Sequence, residues 1–167
     1  YKYAGMFGVH NIIHGFVPKK NVKSAAKLHR GYDFTIMMDI SEFFDSVTPQ
    51  HLPRIGHIVP EMFHKEGYAA QGFPTSPMIA NIAIVPLLAV TKSRLNKFIG
   101  SGNYAFTVYA DDIQISYSIP QGVPHRSLND TISGVIDIVT EEFNNKNFRI
   151  NKGKTRVRYA KYGERRM

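Results

Sequence analysis

The sequence predicts an α+β fold in which an antiparallel sheet carries helices on one face, the split βαβ or ferredoxin-like arrangement. Residues 34–40 form a near-continuous apolar run of strand length, interrupted only by Thr35 and Asp39. The flanks of Tyr109, Ala110, Asp111 and Asp112 alternate, with Ile113 and Ile115 set against Gln114 and Ser116, as the arms of a hairpin do. Apolar residues at helical spacing stand before and after that hairpin, so the order reads strand, helix, helix, strand, strand, helix and a small strand pair.

Residues 1–18 mix small and aromatic types with Gly5, Gly8 and Gly15, and read as mostly loop with short extended pieces. Asn21 opens a short helix that Gly31 stops. Around it Lys19, Lys20, Lys23, Lys27, His29 and Arg30 either line a phosphate track or make a solvated face. The run 34–40 suits a central strand buried on both faces. An unpaired buried carboxylate is costly, so Asp39 belongs at the strand's exposed end or beside a cation. Thr48 and Pro49 mark a helix start running towards Lys65, with Gly67 as its stop.

Residues 71–77 are a stiff polar loop containing Pro74 and Pro77. Pro77 then starts a helix with Ile79, Ile82, Ala83, Pro86, Leu87 and Val90 on one face. Pro86 should kink it, because its ring removes one backbone bond and crowds the preceding turn. Gly100 and Gly102 close this helix ahead of the hairpin. Ser127 with Asp130 resembles a capping box, opening an amphipathic helix of Leu128, Ile132, Val135, Ile136, Val139 and Phe143. Residues 148–150 and 155–159 alternate as strands around a turn at 151–154. No internal repeat is present.

The 167 residues suit one domain, and 43% hydrophobic content with 11 Phe and 9 Tyr is that of a globular core. A net charge of +8 points to a polyanionic partner, nucleic acid ahead of anionic membrane, since no apolar run approaches the roughly 20 residues of a span. With 0 Cys there is no disulfide framework and no thiolate metal site, and none of the 7 His has a convincing ligand partner.

Adjacent acids at a hairpin turn are unusual, because the two carboxylates repel and such turns favour Asn or Gly. Asp111 and Asp112 read either as a polar turn or as hard oxygen ligands for a divalent cation. In the predicted fold the strand ending at Asp39 lies beside that hairpin. Three carboxylates from two elements then suit the two-metal logic of phosphoryl transfer, as in a nucleotidyl transferase or its hydrolytic sibling, a nuclease.

These residues match a known family. Residues 109–112, Tyr-Ala-Asp-Asp, resemble the catalytic box of reverse transcriptases, and Asp39 with an aromatic, Phe44, five residues later resembles their first palm motif. Residues 71–77 with Asn81 are similar to the second palm motif of the bacterial enzymes of retrons, group II introns and diversity-generating elements. Residues 14–18 resemble the segment that precedes the palm, and 151–155 the later lysine motif. The resemblance runs from His14 to Thr155.

It implies a polymerase palm at residues 34–160, the end of the fingers and the fingers–palm connection at 1–33, and the start of a connection to a thumb at 161–167. Asp39, Asp111 and Asp112, with the Ile40 carbonyl, would hold two Mg²⁺ ions, or Mn²⁺. Backbone amides of Ser41, Glu42 and Phe43 would lie near the triphosphate. Phe44 would be a steric gate against the ribose 2′-hydroxyl, or else a core aromatic. Gln71 and Gly72 would contact the incoming nucleotide, and Pro74, Tyr109, Lys19, Lys20 and Lys23 the nucleic acid. Lys154 would protonate the leaving pyrophosphate, contact a phosphate, or be a plain turn lysine.

The implied partners are an RNA template, a DNA primer and deoxynucleotides, in a bacterial cytoplasm and with no membrane. The family's basic fingers segment and its thumb fall outside this sequence. The stretch from Asp39 to Gln71 is short for bacterial relatives, and Ala25 stands where retron enzymes place an Asn. Two other readings stay open. One is an RNA-dependent RNA polymerase, against which Phe44 and the Gln71-Gly72 pair argue. The other is a catalytically inactive palm that binds nucleic acid.

Overall fold

A computed structural model of the protein describes residues 2–52, 62–119, 121–122 and 125–160. Its elements in order are α1 (Lys2–Met6), α2 (Val22–Leu28), β1 (Phe34–Asp39), α3 (Phe43–Ser46), α4 (Ser76–Ile99), β2 (Tyr104–Tyr109), β3 (Asp112–Tyr117), α5 (His125–Asn145) and β4 (Arg156–Tyr159). The strands form one four-stranded sheet in the order β2-β3-β1-β4, antiparallel at each pairing. The fold is therefore α+β, as the alternating patterns require.

Register and alternation give the sheet two unlike faces. Phe34, Ile36 and Met38 of β1 stand with Ile113 and Ile115 of β3 and Phe106 and Val108 of β2, all buried in one core with α4 and α5. From α4 that core takes Ile79, Ala83, Ile84, Leu87, Leu88 and Leu95; from α5 it takes Leu128, Ile132, Val135, Val139 and Phe143. Arg94 of α4 fastens the two helices through Glu141 at 2.8 Å and Glu142 at 2.6 Å.

The opposite face is polar: Thr35, Met37 and Asp39, then Asp112, Gln114 and Ser116, then Thr107 and Tyr109. One half of it is covered by the end of α2. There His29 places Nδ1 2.7 Å from Ser116 Oγ and Nε2 2.7 Å from Thr107 Oγ1, while Thr35 Oγ1 lies 2.6 Å from Ser116 Oγ. The helices are thus not confined to one face, and His29 serves the sheet rather than a phosphate track.

Several local expectations change. Residues 2–6 are helical, not loop. The helix expected from Pro49 is a 3₁₀ turn over Pro49–His51 that ends at Leu52, and residues 53–61 lie outside the description. α4 continues through Pro86, but Val90 is 48% exposed and Thr91 takes its place in the core. α5 begins at His125, so Ser127 and Asp130 are inside the helix instead of capping it. Residues 148–150 are not a strand, because only Ile150 pairs, in an isolated bridge with Ile40. α4 is also long and apolar enough to cross a membrane, contrary to expectation, yet half of that stretch is buried, as a core helix requires.

Candidate active site

Asp39 is the last residue of β1, and alternation after Met38 turns it onto the polar face. Its direct partner across the ladder is Asp112, and Asp112 is also paired with Tyr109. These three therefore share one face at one end of the sheet, the half that α2 leaves open. Side chains directly opposite have Cβ atoms about 5 Å apart, where like charges are destabilising.

The turn between β2 and β3 holds Asp111 beside them. Ala110 takes the positive φ that such a turn needs, at 53°, and the Asp111 carbonyl accepts the Ile40 N–H at 2.9 Å. That bond ties the turn to the end of β1. The chain then brings in Lys154 through a 3₁₀ turn over Lys152–Lys154: the Asn151 N–H donates to the Asp39 carbonyl at 2.8 Å and the Asn151 side chain accepts from the Lys154 N–H at 3.3 Å. Lys154 Nζ reaches 3.4 Å from Asp39 Oδ1. With the lysine side chain 65% exposed, the pair adds little stability and chiefly places a positive charge at the site.

Although Asp112 is exposed, partial desolvation pushes its carboxyl above the ordinary range, the charges of Asp111 and Asp39 push it further, and Lys154 draws it back. Crowded carboxylates of this kind, all hard oxygen donors, fit a divalent cation such as Mg²⁺ or Mn²⁺. Among the described residues no three acidic or imidazole side chains close around a point to form a complete cage. An open cluster is compatible with Mg²⁺, which commonly uses one or two carboxylates and takes its remaining ligands from water and substrate phosphates.

Around this cluster the other expected residues are spread unevenly. Glu42, exposed and at φ 47°, turns the chain into α3, and the Ser41 N–H is already engaged with the Arg149 carbonyl at 2.8 Å. Phe43 is a core residue, 4% exposed and packed on Phe148. Phe44 is half-buried, with its ring 5.4 Å from Phe43 and 6.0 Å from Phe16. Gln71, Gly72 and Pro74 are exposed on a loop fastened beside α3, where the Ala69 N–H donates to the Val47 carbonyl at 2.9 Å. No described hydrogen bond or ring contact joins those three to the carboxylates. Lys19, ahead of α2, and Lys23, in its first turn, are exposed. The Lys20 ammonium instead bonds the carbonyls of His10 and Ile13, the latter at 2.8 Å, and burial pushes its pKa down. Lys20 is thus a staple of the N-terminal segment, which corrects its place in the phosphate track.

Sequence reasoning missed a strap under the turn. Ile12 and His14 bond to Val108 along the edge of β2, Gly15 packs against the backbone of Tyr109 and Ala110, and Asn81 Nδ2 donates to the Gly15 carbonyl at 2.9 Å. It also missed that Arg156 and Arg158, opposite Met37 and Thr35, bring positive charge to the edge of the carboxylate face. Their alternation about Val157 was the available signal.

The pattern of the family described as reverse transcriptase (RNA-dependent DNA polymerase) matches residues 7–163. Similar curated proteins include the retron Mx162 reverse transcriptase of Myxococcus xanthus, 28% identical over 181 aligned positions that cover 89% of this chain and 36% of the relative. The retron Mx65 reverse transcriptase of the same organism is 28% identical, covering 86% of this chain and 37% of the relative. The retron Ec73 reverse transcriptase of Escherichia coli is 28% identical, covering 65% and 40%. The chain thus spans well under half the length of these relatives.

Proposed function

Because the chain belongs to the reverse transcriptase family, we propose that it forms the palm of an RNA-directed DNA polymerase, one that extends a DNA primer on an RNA template with deoxynucleotides. The observation that carries this reading is the direct cross-strand pairing of Asp39 with Asp112, with Asp111 in the adjoining turn. The sheet order supports a ferredoxin-like palm over residues 34–160, with 1–33 as the end of the fingers and 161–167 leading towards a thumb. The bacterial relatives favour a bacterial cytoplasm, and the core position of α4 gives no reason to invoke a membrane.

Asp39, Asp111 and Asp112 would hold two Mg²⁺ ions, or Mn²⁺, with the Ile40 carbonyl as a further ligand. Bound there, the ions would acidify the primer 3′-hydroxyl and offset charge on the leaving pyrophosphate. The rest falls to the chain itself. Lys154, with Nζ 3.4 Å from Asp39 Oδ1, offsets part of the carboxylate charge and contacts, or donates a proton to, the departing phosphate. Phe44, whose ring packs on Phe16, itself beside Tyr109, acts as the gate against a 2′-hydroxyl. The exposed Gln71, Gly72 and Pro74 contact the nucleotide and templating base. Tyr109, on the carboxylate face, meets the primer end, and Lys19 and Lys23, with Arg158 across the sheet, hold phosphates.

Primer extension on poly(rA)–oligo(dT) with Mg²⁺ tests this reading, using the full-length gene product that carries the chain. Asp111→Asn/Asp112→Asn should abolish dTTP addition while hybrid binding persists. If the unaltered protein binds the hybrid but adds nothing, the palm is a binding module and the polymerase reading fails.

A further inference from the structure

Phe16 is a large aromatic that the proposed chemistry leaves unused, and its circumstances are not those of a core residue. It is 50% exposed and sits at φ 55°, in the left-handed region where a residue with a Cβ is strained. Such a conformation persists when the surroundings over-determine it, and three attachments at the residues just before Phe16 do so. The His14 N–H donates to the Val108 carbonyl at 2.9 Å, Asn81 holds the Gly15 carbonyl at 2.9 Å, and Lys20 bonds the Ile13 carbonyl at 2.8 Å. Held this way, the Phe16 ring lies 6.0 Å from Phe44 at an interplanar angle of 61° and 6.4 Å from Tyr109 at 34°.

Phe44 therefore stands between two rings of different character. Phe43 is anchored in the core on Phe148, whereas Phe16 is half-exposed and also packs beside Tyr109, next to the carboxylate turn. An edge-to-face contact fixes both the tilt and the position of a ring. A gate that rejects a single hydroxyl needs such fixation, since a mobile ring would yield to the extra oxygen.

We propose that Phe16 is a positioning residue for nucleotide selection: it holds the Phe44 ring in the attitude that excludes a ribose 2′-hydroxyl. The inference rests on the reading of Phe44 as the gate. It assigns selectivity to a residue outside both palm motifs, delivered by the strap that also supports the Asp111 turn.

The test is single-nucleotide incorporation by the full-length gene product on an RNA template and DNA primer, comparing kcat/KM for a deoxynucleotide and its ribonucleotide counterpart. Phe16→Ala should raise the relative use of the ribonucleotide by about two- to tenfold, the scale of one aromatic pair. Phe44→Ala should raise it further, and the double variant should match Phe44→Ala, because Phe16 acts through that ring. Phe16→Tyr, which keeps the ring, should restore selection. Should Phe16→Ala fold poorly by thermal melting, Phe16→Leu removes the ring edge and keeps apolar volume, with the same expected direction. If Phe44→Ala is permissive while Phe16→Ala and Phe16→Leu lower both substrates equally, the inference is overturned and the gate stands. If Phe44→Ala leaves selection unchanged, the gate reading itself is overturned, and this inference with it.

Discussion

A Cβ built on Gly15 would stand 2.5 Å from the amide nitrogen of Ala110 and 3.2 Å from the carbonyl carbon of Tyr109. Both obstacles are backbone, so neither can swing aside as a side chain would. Gly15→Ala must therefore displace either the strap or the turn that carries Asp111. Overpacking of this kind costs about 1–3 kcal/mol, and a displacement near 1 Å at reacting groups costs about a hundredfold in rate. We expect Gly15→Ala to melt only modestly lower than the unaltered protein and to lose primer extension far out of proportion. A proportionate loss of both would mean that the contact is structural only.

Two adjacent lysines divide in the same manner. Lys19 is exposed, whereas Lys20 spends its ammonium on the carbonyls of His10 and Ile13. Replacing a phosphate-contacting lysine removes about one unit from the slope of log affinity against log salt. Lys19→Gln/Lys23→Gln should lower that slope by about two in hybrid-binding titrations. Lys20→Gln should leave the slope alone and lower the melting temperature.

At the scale of elements, α2 is defined by its caps and placed by one histidine. Asn21 and Ser24 form a reciprocal capping box, and His29 at the far end reaches Ser116 and Thr107 on the polar face of the sheet. Burial, aided by the charge of His14, pushes the His29 imidazole from 6.5 down to about 4. His29 is then neutral in the folded protein while the unfolded chain takes up a proton below pH 6.5. The stability this contributes is complete above about pH 6.5 and is lost as pH falls towards about 4, on the order of 3 kcal/mol. Thermal melting between pH 7 and pH 4.5 should fall more steeply for the unaltered protein than for His29→Asn. Parallel curves would remove His29 from the acid response.

Elements also show how far periodicity carries. The stripe Leu128, Ile132, Val135, Ile136, Val139 and Phe143 identifies the core-facing side of α5, with Ile136 partly buried against the core and the others buried in it. Its start was misplaced, since Ser127 bonds within the helix, its carbonyl accepting from Thr131 Oγ1 at 2.9 Å. Capping chemistry is local and recurs inside helices, so the pair Ser127 and Asp130 could not mark the boundary by itself. Residues 148–150 alternate as a strand would, yet the chain there turns from Phe148 in the core to the bridge at Ile150. A strand needs a neighbour along its length, and alternation does not say whether one is available.

For the whole molecule, the sequence by itself determined the α+β class and the β2–β3 hairpin, and it singled out Asp39, Asp111 and Asp112 as acids in unusual places. Those follow from alternation, turn chemistry and the cost of burying charge, all properties of near neighbours in the chain. Tertiary structure alone decided that Asp39 faces Asp112 across the ladder, that Lys154 rather than another basic residue reaches Asp39, and that His29 closes half of the polar face. It also decided that Gly15, Phe16 and Asn81 meet beneath the turn. These contacts join segments distant in sequence, and their energy exists only once the core has brought the segments together. No pattern within a single segment encodes them.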